Sequence, residues 1–339
     1  MLLVILGAGA SHDFAPGAQG AWQPPLANGL FDPGEFGAAL KRFPQIAGLV
    51  PSLRGLPTGI SLEERLDEIQ AEAEGKSSRA PVELMAMRYY LRYVLWECSA
   101  TSIERTSNVT NYARLFRIIE VWRETHDERV CVVTFNYDTL LENAAQSVLG
   151  ASFRTLDSYI AGPNWEYFKV HGSCTWGQAL TNSIDRNRID AAGVIALGST
   201  IQLGSHYIWD TPPAAGAFSG IEHQGSRIAL APAIALPLRS KTSFACPPEH
   251  LTRLRERMTR VDRILSIGWR AQDRHFLAEI RTRSEEPIRT CIVTDSQAGA
   301  EDVSEVFRRV GYKGEHIRIH GGFSRMFDHP GLKQLLVDA

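Results

Sequence analysis

Apolar and polar positions along the chain follow two rhythms. Short, mostly apolar runs occur at Leu2 to Leu6, Val130 to Phe135, Tyr167 to Val170, Ile228 to Leu230, Arg263 to Ile267, Arg289 to Val293 and His316 to Ile319. Runs of this length without apolar–polar alternation mark strands buried on both faces. Between them the apolar spacing changes to three and four, predicting helices over Pro248 to Val261 (Leu251, Leu254, Met258, Val261), Asp273 to Arg283 and Ala300 to Val310. Asp138 can cap a further helix that ends before Gly150, a residue suited to follow a helix terminus. Strands alternating with helices predict an α/β chain: a Rossmann-like parallel sheet with helices on both faces.

One long stretch breaks that alternation, and from it we expect a helical insertion at residues 58–127 of a single domain spanning 1–339. Ser61 and Glu64 have capping-box spacing, with Leu62, Leu66, Ile69 and Ala73 behind them. Pro81 suits the first turn of a second helix through Cys98, and Tyr112, Leu115, Ile119 and Trp122 stripe a third. Asp13 to Pro57 is rich in Gly and Pro and reads as loop with one short helix near Pro33 to Leu40. Cys174 to Ser226 shows no strong period and reads as irregular or small β structure.

The chain has 339 residues, 44% hydrophobic and 22% charged, with a formal net charge of −2. That balance supports a substantial core and gives no basic field, so direct sequence-specific nucleic-acid binding is not expected. Five scattered cysteines without a Cys-x-x-Cys pair argue against a disulfide framework or a Cys-rich zinc site, and read as reduced, buried thiols. The opening apolar run is too short for a secretory signal, and Pro81 to Cys98 is interrupted by Glu83, Arg88, Arg92 and Glu97. A cytoplasmic protein without membrane association is therefore expected.

Three strand ends carry candidate chemistry. Gly7-Ala8-Gly9-Ala10-Ser11 follows the first strand, and such a turn either admits a pyrophosphate to backbone amides or serves as a tight structural turn. His12 stands where the dinucleotide fingerprint has its last glycine, which argues against a standard dehydrogenase. Asn136 and Asp138 leave the second strand; a capping role suits Asp138 better than Asn136. His171 leaves the third. A lone histidine is more often structural, but this one occupies a strand end equivalent to the other two, where ligands of open α/β sheets bind. His316 and His320 have no third ligand nearby and read as a surface pair, and Lys241 either touches a phosphate or is solvated.

Taken in order, Gly7-Ala8-Gly9-Ala10-Ser11, Thr134-Phe135-Asn136-Tyr137-Asp138, Lys169-Val170-His171-Gly172-Ser173 and Ile267-Gly268-Trp269 with Asp273 resemble the sirtuin-like family. The closer resemblance is to its bacterial branch of defence-associated NAD hydrolases. It covers about Leu2 to Ala15, Val130 to Ser173 and Ile228 to the end. It implies that Gly7, Ala8, Gly9 and Ser11 line the diphosphate and ribose, with Asp13 and the loop after it on the nicotinamide side. Asn136 would hold the ribose hydroxyls or the attacking water, His171 would be the general base, and Asp138 would support the nicotinamide pocket. Gly268 and Trp269, with Thr294 and Asp295, would frame the adenosine half, and Asp273 would belong to the cofactor-binding set.

The resemblance further implies NAD as a substrate, with no metal, split into nicotinamide and ADP-ribose, and a role in antiphage defence by NAD depletion. It implies a homo-oligomer and a HerA-type hexameric ATPase as partner. Deacetylating sirtuins carry a four-cysteine zinc module after the histidine, whereas Cys174 to Ser226 holds a single cysteine. An NAD-dependent protein deacylase is therefore the competing enzyme reading. A non-catalytic sensor or scaffold that binds NAD or ADP-ribose is the non-enzyme one.

Overall fold

The computed structural model describes residues 1–17, 23–26, 29–54, 65–66, 68–69, 71, 79–181, 190–209, 221–223, 226–236, 244–280 and 287–337. The Ser61–Glu64 capping box, Leu62, Ala73 and Lys241 lie outside the described residues. The strands are β1 (Leu2–Leu6), β2 (Val130–Thr134), β3 (Trp165–Lys169), β4 (Gly172–Leu180), β5 (Leu203–Trp209), β6 (Ile221–His223), β7 (Ser226–Ile228), β8 (Leu230–Ile234), β9 (Arg263–Ile267), β10 (Arg289–Val293) and β11 (His316–Ile319). The helices are α1 (Ala8–His12), α2 (Pro33–Arg42), α3 (Val50–Arg54), α4 (Arg79–Thr106), α5 (Asn111–His126), α6 (Leu140–Leu149), α7 (Ala191–Leu197), α8 (Pro248–Met258), α9 (Arg274–Glu279), α10 (Gln297–Arg309), α11 (Gly322–Met326) and α12 (Gly331–Leu336).

Six strands form a parallel sheet in the order β11-β10-β9-β1-β2-β3. Side chains alternate between its faces. Leu2, Val4 and Leu6 join Val130 and Val132 beneath α5, α6, α11 and α12, while Leu3 and Ile5 join Cys131, Val133 and Phe168 beneath α8, α9 and α10. The α/β class and the helices on both faces are as the apolar runs predict. Leu6 pairs with both Ile267 and Thr134, and Thr134 pairs with Lys169. The ends of β9, β1, β2 and β3 are therefore level. Trp269, Ala8, Asn136 and His171 each stand two residues past the last paired position, side by side along the carboxyl edge.

A second core lies beyond the sheet, where α2 and α4 pack on the antiparallel sheet β5-β4-β8 through Phe36, Tyr89, Tyr90, Val94, Ala179, Leu230 and Ile234. The helices of the 58–127 stretch divide between the two cores. Tyr112, Leu115, Phe116, Ile119 and Trp122 of α5 cover the parallel sheet, whereas the described part of α4 packs mainly on the second core. The helix read from Pro81 to Cys98 runs on to Thr106, with Ser99 Oγ donating to Leu95 O at 2.6 Å and Thr106 Oγ1 to Ser102 O at 2.9 Å, one turn back in each case. Ser107 and Asn108, both at positive φ, then turn the chain into α5.

One expectation needs correction, whereas the small β structure expected over Cys174 to Ser226 is found. The segment read as a strand at Ile228 to Leu230 spans the end of β7 and the start of β8; β7 pairs antiparallel with β6 and β8 antiparallel with β4, so neither joins the parallel sheet. The described part of Cys174 to Ser226 contains most of β4, then α7, β5, β6 and the start of β7. Its pairing is long-range, with register shifts in both ladders of β4, so local periodicity carried little of it.

All five cysteines are free and buried, and burial pushes their thiols up to about 12. Among the described residues no helix is long and apolar enough to cross a membrane, and no three His, Cys, Asp or Glu cluster to hold a metal.

Candidate active site at the carboxyl edge of the sheet

The first turn is built by close approach of two strand ends. Gly7 N donates to Ile267 O at 3.0 Å and Gly9 N to Gly268 O at 3.1 Å. A Cβ at Gly7 would sit 2.4 Å from Gly268 O, and one at Gly268 would sit 2.3 Å from Ala10 N. Gly268 also has φ +61°, so side chains are excluded here by both space and backbone. Gly7, Gly9 and Gly268 thus dock β1 on β9 and let α1 start at once. The amide of exposed Ala8 has no acceptor among the described residues.

Asn136 lies against this turn. Its Nδ2 is 2.9 Å from Gly7 O, 2.8 Å from Ser11 Oγ and 3.3 Å from the Tyr112 hydroxyl, and its own amide donates to Thr134 Oγ1 at 3.1 Å. Ser11 Oγ and the Tyr112 hydroxyl are 2.9 Å apart. The carboxamide nitrogen is fully engaged. The Oδ1 atom has no protein donor among the described residues, although Asn136 keeps 7% exposure. Tyr112 came out of the sequence only as an apolar stripe position, and its hydroxyl, which a buried tyrosine must satisfy, was the missed signal.

His171 packs edge-on to Phe135 (4.9 Å between centroids) and alongside Tyr137 (6.4 Å), the residues that flank Asn136. Its Nε2 lies 2.6 Å from Asp273 Oδ2, with both side chains largely buried. Asp273 Oδ1 caps α9 by accepting from Phe276 N at 2.8 Å. One carboxylate therefore fixes both the helix start and the imidazole. Asn136 and His171 share no direct hydrogen bond; they meet only through neighbouring strand ends.

The other sequence-derived candidates make separate contacts. Asp13 accepts from Ser324 N at 2.7 Å and Ser324 Oγ at 2.5 Å, tying the chain after α1 to α11. Asp138 is buried, accepting from Leu140 N at 3.1 Å through Oδ1 and from Lys169 Nζ through its carbonyl. Trp269 stacks on Phe135 (5.3 Å, 7°) in the apolar layer beneath the edge. Asp295 is exposed at the end of β10. His316 bonds Ser304 Oγ at 2.8 Å, and burial holds its imidazole below the usual histidine range. A cavity of about 450 Å³, lined by Tyr207, Phe244, Cys246, Leu251, Arg255 and His275, borders α9 but includes neither Asn136 nor His171.

No protein-family model matches the chain, and no curated protein matches it. Among solved structures it is similar to a Sir2 homologue in complex with NAD, at 11% identity over 99% of this chain and 90% of that one, with a TM-score of 0.41. It is also similar to a mutant Sir2 homologue in complex with 2′-O-acetyl ADP-ribose, at 14% identity over 98% and 91%, with a TM-score of 0.40. A Sir2 homologue mutant in complex with ADP-ribose follows at 13% identity over 91% of each chain, with a TM-score of 0.37. At these identities and scores the likeness assigns no residue role, activity or ligand to this chain.

Proposed function

We propose that the chain binds NAD across the carboxyl edge of the parallel sheet and hydrolyses its nicotinamide N-glycosidic bond, giving nicotinamide and ADP-ribose. The observation that carries this reading is the level placement of Ala8, Asn136 and His171 past adjacent strands, with His171 held by Asp273. It joins the resemblance of the ordered motifs to sirtuin-like NAD hydrolases.

Nicotinamide leaves a cationic glycosidic centre, so the bond can break through an oxocarbenium-like state without a strong acid. The protein's task is to position ribose and water. The Asn136 carboxamide, pinned through its nitrogen, offers Oδ1 to a ribose hydroxyl or to the water. His171 takes the proton of that water as general base, and Asp273 orients its ring and stabilises the imidazolium formed. Asp273, read from the resemblance as cofactor-binding, serves the base in this proposal. Antiphage NAD depletion, self-association and a HerA-type ATPase partner remain part of the same proposal, resting on the motif resemblance.

Chromatography of NAD incubated with the protein alone tests it. Nicotinamide and ADP-ribose are expected in equal amounts without any acyl-peptide, and turnover should fall about 100-fold or more in Asn136→Ala and His171→Ala. Release that requires an acyl-peptide would instead make the chain a deacylase, and binding without products would make it a sensor or scaffold.

A further inference from the structure

The geometry points to Tyr112 as a positioning residue that sets the hydrogen-bond polarity of the site, making Ser11 an obligate donor to an anionic ligand oxygen. This rests on the proposed NAD reading and specifies what the turn demands of its ligand. Tyr112 comes from the start of α5, far from the motifs in sequence, and is 1% exposed. Among the described residues its hydroxyl has two neighbours, Ser11 Oγ at 2.9 Å and Asn136 Nδ2 at 3.3 Å.

The donor inventory fixes the direction of these bonds. A carboxamide nitrogen only donates, so the phenolic proton has one acceptor within reach, Ser11 Oγ. Burial pushes the phenol well above the usual tyrosine range, which favours keeping that proton on the oxygen. Ser11 Oγ accepts from Tyr112 and from Asn136 Nδ2 at 2.8 Å, which fills both of its lone pairs. Its own proton then has no acceptor among the described residues. A buried hydroxyl in this condition favours an incoming acceptor, and a diphosphate oxygen is the strongest one an NAD-like ligand carries. Asn136 is polarised in the opposite sense: Gly7 O and Ser11 Oγ take its N–H groups, leaving Oδ1 to accept from a hydroxyl or water. One phenol thereby sorts the turn into a phosphate side and a ribose side. α5 also ties the surrounding loops, since Asn111 Nδ2 donates to Asp13 O at 2.7 Å and to Ser324 Oγ at 2.8 Å.

Calorimetric binding of ADP-ribose to wild type, Tyr112→Phe, Ser11→Ala and the double variant tests the assignment, with the far-ultraviolet spectrum and thermal midpoint reporting the fold. Tyr112→Phe and Ser11→Ala should each weaken ADP-ribose about 5- to 20-fold. In the Ser11→Ala background Tyr112→Phe should add less than about 2-fold, because its effect runs through the serine. A merely structural tyrosine would instead give multiplicative losses, or a lowered midpoint with unchanged affinity, and either result overturns the inference. Unchanged affinity in a folded Tyr112→Phe overturns it while leaving the NAD reading standing. No binding of ADP-ribose by folded wild type overturns both.

Discussion

Two buried polar clusters sit on neighbouring parts of the same sheet and are built on opposite principles. On β3 and α8, Glu166 is saturated: Oε1 accepts from Arg253 Nε at 2.8 Å and Arg257 Nη2 at 2.9 Å, and Oε2 from Arg257 Nε at 2.6 Å. At the carboxyl edge, Ser11, Tyr112 and Asn136 are neutral and leave one donor and one acceptor over. The first cluster is closed to ligands and locks α8 to the sheet. The second is stable enough to be buried yet incomplete. A buried polar group whose bonds are all made contributes to holding the fold, whereas one with a bond left open points to a ligand.

The comparison breaks most sharply by exchanging readouts. Glu166→Ala leaves Arg257 buried without its partner and should cost about 3–5 kcal/mol of unfolding free energy, measured in urea, while turnover of the remaining folded protein stays within about 2-fold. Asn136→Ala should show the reverse, a turnover loss of about 100-fold with about 1 kcal/mol or less of stability. If Glu166→Ala abolished turnover in folded protein, or Asn136→Ala unfolded it, the division between the clusters would not stand.

Gly268→Ala ranks next, since it touches the turn that supports only the incomplete cluster. The new methyl collides with backbone and requires positive φ, costing about 1–3 kcal/mol. ADP-ribose affinity should fall with it, because Ser11 moves with the turn. A normal thermal midpoint with lost affinity would show that the turn shifts without strain.

The smallest expected effect separates the clusters by pH. Desolvation alone would raise the Glu166 carboxyl, but hydrogen bonds from Arg257 and Arg253 outweigh it and hold the group below the usual carboxylate range. A depressed folded-state pKa contributes stability that is present above the unfolded value of about 4.3 and is lost as pH falls through the folded one. Wild type should therefore lose thermal midpoint below about pH 4 more steeply than Glu166→Gln. Tyr112→Phe should leave the acid limb unchanged, because its cluster carries no titrating charge there. Parallel acid limbs for wild type and Glu166→Gln would remove the ion cluster as a source of that dependence.

Much of the sheet was legible because β1 is apolar throughout and β2, β9 and β10 are mostly so, and that pattern needs no partner to be recognised. Gly150 after α6, at φ +67°, was equally local. Asp138 appeared as a cap, but the N-cap of α6 is Thr139, and Asp138 one residue before it accepts from Leu140 N. Asp273 could be placed near the edge but not on His171, since the contact joins residues 102 apart in the chain. The sequence places Trp269 at a strand end, but that Phe135, Phe276 and Phe307 enclose it was not legible. The resemblance puts Asp13 on the nicotinamide side, and its bonds to Ser324, 311 positions away, could not be read locally.

The sequence by itself determined the parallel sheet and which residues stand at its strand ends, because both follow from local apolar runs and the small or polar residues that stop them. Tertiary structure alone decided which polar atoms are satisfied and which are left open, because each hydrogen bond of Ser11, Tyr112, Asn136 and His171 depends on strands and helices meeting across the fold. Periodicity constrains one element at a time, whereas bond direction in a buried network is set by every group within reach at once.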